Sequence, residues 1–132
     1  MMAKRFFKVR AAAAPPSRAS RRAASWDLRA AAECRIEPED RASVPTGYGV
    51  RLGADEAGLV CPRAGLAIHY GVTVLDAPGV IGPDEAGEIT VVLHNHGAYP
   101  VDIDAGEPVA QLLIVPLPAA AGRGTVAAEL VG

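Results

Sequence analysis

The stretch that decides the fold is residues 62–93, which read PRAGLAIHYGVTVLDAPGVIGPDEAGEITVVL. Within it, Gly71–Leu75 (GVTVL) and Glu88–Leu93 (EITVVL) are short, apolar and rich in β-branched residues, which predicts two strands. Asp76–Gly79 (DAPG) lies between them and has the composition of a turn. Ala64–His69, just before the first strand, is the only helix candidate in the chain, and it is short. The stretch therefore predicts a β fold with one small helix.

The rest of the chain continues in the same manner, with short apolar segments separated by Gly, Pro, Asn and Asp. His94–Pro100 contains Asn, Gly and Pro and is predicted to be a loop. Thr125–Val131 is predicted to be a last short strand or an exchanged arm. Short strands at this spacing predict an all-β sandwich or barrel. The further predicted strands are Asp27–Ala31, Ala42–Val44, Tyr48–Leu52, Gly58–Pro62, Val101–Ile103 and Val109–Val115.

Composition limits the class of protein. The 132 residues suit one domain, and because 50% are hydrophobic but only 5% aromatic, the core must consist mostly of Val, Leu, Ile and Ala. No apolar run reaches transmembrane length and no secretory signal is visible, so we expect a cytoplasmic protein without membrane contact. Cys34 and Cys61 lack metal-ligand spacing, and two buried free thiols in a reducing compartment are favoured over a disulfide.

Charge is unevenly distributed although the net charge is only -2. Residues 1–23 contain Lys and Arg but no acidic residue. A basic arm of this kind can contact a phosphate backbone or a membrane surface, or act as a transit peptide. The favoured interpretation is a first strand, with Phe6, Phe7 and Val9 buried, followed by a solvated loop that Pro15 and Pro16 keep from being helical. Nucleic acid is therefore not the expected partner.

Five segments, in order, resemble the motifs of the trimeric dUTPase family. Pro62–Ala67 with the following His69–Leu75 resembles the second motif, Pro-Arg-Ser-Gly-Leu-Ala and its strand. The similarity covers roughly residues 4–117, so that 1–23 forms a basic strand and loop, 24–117 the dUTPase-like domain and 118–132 a short arm without the family's fifth motif. The other matching segments are Trp26–Ala30 (first motif), Val44–Gly47 (the turn after it), Asp76–Ile81 with Gly87–Ile89 (third), and Asn95–Gly97 with Gly106–Leu112 (fourth).

The resemblance implies a distorted jelly-roll or β-clip barrel that forms a homotrimer, with active sites between subunits. The family reaction is hydrolysis of dUTP to dUMP and pyrophosphate, assisted by Mg²⁺. A triphosphate needs Arg and backbone N–H groups to neutralise its charge. Mg²⁺ takes mostly phosphate and water oxygens, so it needs few protein ligands. The attacking water needs a carboxylate base. The partner would be a deoxyuridine nucleotide or a related pyrimidine nucleotide.

The phosphate side of the implied site is largely retained. Arg63 and Gln111 match the family's phosphate-contacting residues, and Asp27 matches an aspartate near the metal-bound waters. Gly65 is present, but the serine before it is replaced by Ala64, which removes a hydrogen bond worth roughly 0.5–1.5 kcal/mol. A family arginine three residues before the glutamine is also missing.

The third motif departs further from the family pattern, Gly-Val-Ile-Asp-x-Asp-Tyr-x-Gly. Gly79 and Ile81 are retained as substrate-binding positions, but the water-activating Asp falls on Gly82 and the Tyr that excludes a 2′-hydroxyl falls on Glu85. Loss of a general base typically removes roughly two to four orders of magnitude in rate. Asp84 is a weak substitute, because in an extended hairpin it would lie about 6–7 Å from Gly82. An exposed acidic turn is the favoured interpretation.

Base preference and metal binding remain open at this stage. Asp76 replaces the family's Asn beside uracil, and a carboxylate suits the amino group of cytosine better. Deamination, as in the related dCTP deaminases, is not expected because Ile89–Leu93 contains no acid. His69, His94 and His96 suggest a metal site, but their spacing does not place three imidazoles together with a clear fourth ligand, so a metal role is not expected. His94 and His96 do share a face if the strand continues.

Three hypotheses follow for function. The first is a dUTPase-like nucleotide-binding protein with impaired hydrolysis, and no catalytic residue is assigned in it. The second is a non-catalytic trimeric binding or regulatory module. The third is a hydrolase acting on another pyrimidine deoxynucleotide.

Overall fold

The computed structural model describes residues 5–118, which form an antiparallel β protein with one short helix. The all-β prediction is confirmed. The predicted strand at Thr125–Val131 lies outside the described residues. In chain order the elements are β1 (Phe6–Lys8), β2 (Trp26–Arg29), β3 (Cys34–Ile36), β4 (Arg41–Pro45), β5 (Tyr48–Val50), β6 (Glu56–Cys61), α1 (Ala64–Tyr70), β7 (Val72–Val74), β8 (Gly79–Ile81), β9 (Thr90–Asn95), β10 (Val101–Ile103) and β11 (Pro108–Pro116).

The strands form two main sheets and two smaller ribbons. One sheet has the order β2-β11-β6-β8 and the other β4-β9-β7, while β1 pairs with β5 and β10 with β3. Most of these neighbours are far apart in sequence, as in a jelly roll, where strands cross between sheets. Along β9 exposed or half-buried residues alternate with buried ones, so one face of this strand lies on the core.

The core lies between the sheets and is almost entirely aliphatic, as the composition predicts. Its most deeply buried side chains include Leu28, Leu93 and Leu112. Two polar residues, Thr46 and Asn95, are also fully buried. Asn95 donates from Nδ2 to two backbone carbonyls, at 3.0 and 2.8 Å, and accepts the amide of Gly97 at 2.8 Å. These bonds satisfy its amide and tie the end of β9 to the loops around it.

Several local predictions are wrong at their edges. His94 and Asn95 belong to β9 rather than to the predicted loop, because Asn95 is buried and hydrogen-bonded to the loops around it. Val9 is 48% exposed rather than buried, since β1 ends at Lys8. Cys34 and Cys61 are free as predicted, but both are only half-buried. The short strands β3 and β8 were not predicted.

The described part of the basic arm, from Arg5 onward, packs on the domain. Arg5 forms an ion pair with Glu56 and Arg10 one with Glu88, each at 2.7 Å. The loop after β1 is not wholly solvated either, because Ala13 is 5% exposed and packs close to Gly47, which has φ +74°. No helix in residues 5–118 is long and apolar enough to cross a membrane.

Candidate functional site

Three of the predicted phosphate-side residues lie together at one end of the four-stranded sheet. Gln111 on β11 is paired with Asp27 on β2 and, on its other side, with Cys61 on β6. Cys61 is followed directly by Pro62 and Arg63, so the register brings Arg63 to the same end of the sheet. We call Asp27, Arg63 and Gln111, together with Ser25, the polar cluster.

The side-chain amide of Gln111 is fixed by two hydrogen bonds. Its Nε2 donates to the carbonyl of Pro62 at 2.8 Å, and its Oε1 accepts from Ser25 Oγ at 2.7 Å. A carbonyl can only accept, so the first bond sets which end of the amide faces which partner. One N–H of Gln111 remains beyond the bond to Pro62. Sequence analysis did not identify Ser25, whose only signal is its place just before the first motif.

Arg63 contacts Asp27 through Nε, which is 3.3 Å from Oδ1. The two side chains are 36% and 31% exposed, so the pair is open to solvent and to a ligand. Within residues 5–118, Arg63 donates no hydrogen bond, and its terminal guanidinium nitrogens form the fork that suits phosphate oxygens. Ala64 and Gly65 begin α1 and are exposed, with open space beside Gly65.

A cavity of about 320 Å³ lies beside β8. Its size is at the lower end of the range for small-molecule sites. Four of the predicted substrate-binding residues line it, namely Asp76, Gly79, Ile81 and Glu85. The other lining residues are Val50, Val60, Val80, Gly87, Glu88, Ile89, Thr90 and Val91. These four residues therefore line one concavity.

The wall formed by β8 offers backbone groups to a ligand. Among the described strands β8 pairs only with β6, so one of its edges carries N–H and C=O groups that are outside the sheet. Asp76 lies at the start of this wall. Its two carboxylate oxygens are 3.6 and 3.9 Å from the position that a Cβ on Gly79 would occupy. An acidic hydrogen-bond acceptor thus lies next to the exposed edge.

The segment Gly82–Glu85 forms a β-turn, in agreement with the acidic turn favoured from the sequence and not with an extended hairpin. The amide of Glu85 donates to the carbonyl of Gly82 at 3.2 Å, and Pro83 occupies the second position, where its fixed φ favours a turn. The turn folds Asp84 back. Its Oδ1 lies 3.1 Å from the position of a Cβ on Gly82, and Glu85 Oε1 lies 3.7 Å from it. The acidic turn is exposed, as predicted. Its carboxylate oxygens lie close to Gly82, where the aspartate side chain of the family pattern is missing.

Glu88 also lines the cavity, but its carboxylate is hydrogen-bonded within the fold. Arg10 donates two hydrogen bonds to its carboxylate, at 2.7 and 3.1 Å, and the amide of Gly47 donates a third at 2.8 Å. The bonds from Arg10 and Gly47 hold the pKa of the Glu88 carboxyl below its usual range, against the opposing effect of burial. Glu88 therefore stays ionised and holds the arm and the Gly47 turn together.

The polar cluster fits a Mg²⁺ ion only indirectly. Mg²⁺ favours oxygen ligands and keeps several of its waters. Asp27 is the one carboxylate in the cluster, and Arg63 already contacts it. This donor set suits an ion that arrives on a triphosphate and meets Asp27 through water. It does not suit a cage made of protein ligands alone.

Comparisons with known proteins agree with this geometry. A family model described as dUTPase matches residues 11–124. The deoxyuridine 5′-triphosphate nucleotidohydrolase of Methylocella silvestris is 44% identical over 106 residues, which cover 77% of this chain and 66% of that protein. The enzyme of the same name from Aquifex aeolicus is 44% identical over 104 residues, covering 77% of this chain and 69% of that protein. The chain thus spans about two thirds of the length of these relatives, and just under two thirds of the first.

Solved structures show the same fold at lower identity. The dUTPase of Streptococcus mutans has a TM-score of 0.78 and 24% identity, covering 90% of this chain and all of that one (100%). The dUTPase of phage phi11 of S. aureus, in which a structural Mg(II) ion is coordinated, has a TM-score of 0.80 and 20% identity, with coverage of 96% and 94%.

Proposed function

The chain belongs to the dUTPase family, and from this premise we propose that it binds a pyrimidine deoxynucleoside triphosphate, with dUTP the first candidate. The assembly proposed is the homotrimer that the family implies, in the cytoplasm. In this trimer the polar cluster of one subunit would bind the phosphates, and the cavity beside β8 of a neighbouring subunit would bind the nucleoside.

Phosphate binding rests on Arg63 and Gln111. The terminal nitrogens of Arg63 would pair with phosphate oxygens, and the remaining N–H of Gln111 would donate to another. Asp27 would receive a water of the Mg²⁺ ion that accompanies the triphosphate. That ion neutralises charge on the phosphates and on the leaving pyrophosphate. Uracil would hydrogen-bond to the backbone edge of β8.

We further propose that hydrolysis is impaired and that Asp84 carries what remains of it. The single observation behind this proposal is the 3.1 Å between Asp84 Oδ1 and the Cβ position on Gly82. In the reaction, a water oxygen attacks the α-phosphorus, the bond to the bridging oxygen breaks and pyrophosphate leaves. The water proton needs an acceptor, and Gly82 has none. Asp84 reaches the vicinity from an exposed turn, and imprecise placement of a catalytic group reduces the rate steeply.

The test measures binding and turnover separately on the full chain. Calorimetry with a non-hydrolysable dUTP analogue and Mg²⁺ should show binding that Arg63→Ala weakens. Pyrophosphate release from dUTP should be slow beside that of the Aquifex aeolicus relative. Asp84→Asn should reduce it further with the dissociation constant unchanged. Asp102→Asn is the matched control, because Asp102 is an exposed carboxylate on β10 that contacts Arg35. It should change neither binding nor turnover.

Each part of the proposal can fail on its own. Turnover at the rate of the relative would remove the claim of impairment. Binding with no turnover, in wild type and Asp84→Asn alike, would identify a non-catalytic binding module and remove the role of Asp84. Absence of any binding to dUTP, dCTP or dTTP would contradict nucleotide binding itself.

Asp76 supports a second candidate, a preference for a cytosine nucleotide. Its carboxylate lines the cavity at the start of β8 and can only accept hydrogen bonds when ionised. The exocyclic amino group of cytosine donates, whereas the corresponding oxygen of uracil accepts. On this candidate dCTP binds more tightly than dUTP, and Asp76→Asn reverses the order. Equal affinities in wild type and variant would exclude it.

A further inference from the structure

We propose that Glu39, His94 and His96 form a binding site for a divalent transition-metal ion of the zinc class. One ligand atom of each residue lies within 4.8 Å of the others. Among residues 5–118 no other group of three or more His, Cys, Asp or Glu side chains converges in this way. The site is distinct from the polar cluster and the cavity, and it does not depend on nucleotide binding.

The two histidines converge because β9 is longer than its sequence suggests. His94 lies in β9 and His96 follows two residues later, so the two side chains leave the strand on the same face. Their ring centroids are 4.1 Å apart. The amide of His96 donates to the carbonyl of Gly71 at 2.8 Å, which holds this end of the strand against the C-terminus of α1. His69, on α1, does not join them.

Glu39 reaches the pair through the turn that precedes β4. Its amide donates to the carbonyl of Asn95 at 2.7 Å, and the amide of Asn95 donates to Asp40 at 3.0 Å. Glu39 is thus bonded to the residue between the two histidines. It has φ +65°, a left-handed conformation that is uncommon for glutamate. No local pattern indicates Glu39 as a ligand, because it lies more than fifty positions from its partners.

An unsatisfied nitrogen supports a ligand here. His94 Nδ1 is buried and has no hydrogen-bond partner among the described residues. Buried polar atoms usually have a partner, and an orphan calls for a specific explanation. A cation bound in this cluster would explain this nitrogen. Arg41, opposite His94 on β4, works against a cation, but it is exposed and its long side chain can point to solvent.

The ligand types select the ion. Two imidazoles and one carboxylate are a donor set of zinc sites that keep a fourth position for water. Mg²⁺ prefers oxygen ligands and is disfavoured here. Tetrahedral ligands at about 2.0–2.1 Å from zinc lie roughly 3.3 Å from one another. The ligand atoms, which lie within 4.8 Å of one another, must therefore approach by up to about 1.5 Å, and Glu39 and His96 are exposed side chains that can make this movement. The bound ion would tie the turn before β4 to the end of β9.

The experiment uses the full chain stripped of metal with a chelator. Titration calorimetry with Zn²⁺ should give one ion per chain, while Mg²⁺ up to the same concentration gives no heat from this site. His96→Ala and Glu39→Gln, both at exposed positions, should each weaken Zn²⁺ binding about tenfold or more. Circular dichroism checks that each variant keeps the fold. His69→Ala is the matched control, an exposed histidine on α1, and should bind as wild type does. Zn²⁺ should also raise the melting temperature of wild type and His69→Ala, but not of His96→Ala.

The two half-buried cysteines are the competing source of zinc affinity. Co²⁺ distinguishes them, since thiolate ligation gives an intense charge-transfer band that imidazole and carboxylate ligands lack. A Co²⁺ spectrum without that band supports the proposal. A thiolate band, unchanged affinity in His96→Ala and Glu39→Gln, or an equal loss in His69→Ala would each overturn it.

Discussion

Replacing Gly82 with aspartate should restore the proton acceptor that the third motif lacks. Gly82 does not have a positive φ, so its backbone accepts an aspartate without strain. A Cβ at this position would lie 3.1 Å from Asp84 Oδ1, which is closer than ordinary contact, but Asp84 is exposed and can rotate away. A positioned general base contributes roughly two to four orders of magnitude in rate. We expect Gly82→Asp to raise the turnover number for dUTP by about 10²–10⁴ if nucleotide binding is intact.

The neighbouring carboxylate determines the pH dependence of this gain. Two carboxylates about 4 Å apart repel by about 1 kcal/mol in water and about 4 kcal/mol at an effective dielectric constant of 20. The turn is exposed, so the lower part of this range applies, which corresponds to roughly one pKa unit. In Gly82→Asp the acidic limb of the rate profile should therefore lie about one unit higher than in the double variant Gly82→Asp with Asp84→Asn. Near neutral pH both variants should be similarly active.

The assay is pyrophosphate release from dUTP with Mg²⁺, from mildly acidic to mildly alkaline pH. Gly82→Asn is the matched control, since it has the size of aspartate but accepts no proton at this pH, and it should stay as slow as wild type. Calorimetry on each variant confirms that the nucleotide still binds. If Gly82→Asp binds the nucleotide as wild type does and its turnover does not rise, the assignment of the defect to Gly82 is refuted.

Three further predictions concern stability and sugar selectivity. Asn95→Ala leaves two carbonyls and one amide without their partner, at roughly 1–3 kcal/mol each, so urea unfolding should show a loss of about 3–9 kcal/mol. A loss below about 1 kcal/mol would contradict the role of Asn95 in tying β9 to the loops around it. Because Arg10 holds the pKa of Glu88 below its ordinary value, this interaction stabilises the fold above the unfolded-state carboxyl pKa of about 4.3 and is lost as pH falls through the lower folded-state value. Glu88→Gln should therefore lower the free energy of unfolding at neutral pH and flatten its fall on acidification; an unchanged pH profile would exclude Glu88 as its source. Glu85→Tyr should increase the preference for dUTP over UTP about tenfold or more in competition binding, since it replaces a carboxylate that can accept a 2′-hydroxyl with a bulky ring; an unchanged ratio would show that Glu85 does not face the sugar.

Strands with strong local signals could be predicted from the sequence, and those that depend on distant partners could not. Val101–Ile103 was predicted with its observed bounds, because its apolar residues alternate with an acid between turn residues. β8 has only three residues between Pro78 and Gly82, and it exists because β6 pairs with it. Composition predicts a loop at the end of β9, where the strand in fact continues through Asn95. Asn95 is buried there and hydrogen-bonds to residues as far as 59 positions away.

The candidate site divides in the same way. Motif resemblance named Asp27, Arg63 and Gln111 as parts of one site, and they do lie together, because β2, β11 and β6 are neighbours in one sheet. Resemblance carried no information on the turn after Ile81, where this chain departs from the family pattern. There the position of Asp84 follows from Pro83 and the turn it favours, not from an extended strand.

Retained motif residues do not by themselves indicate retained catalysis. Gln111 joins Ser25 to the Pro62 carbonyl, and Arg63 contacts Asp27, all without a ligand. These contacts connect three strands, so the residues would be kept by the requirements of the fold even if no phosphate were ever hydrolysed. Gly82 has no such structural task, since a side chain there would meet only the exposed acids of the turn. The residue at position 82 is therefore a better indicator of catalysis than Arg63 or Gln111, and in this chain it is a glycine without a proton acceptor.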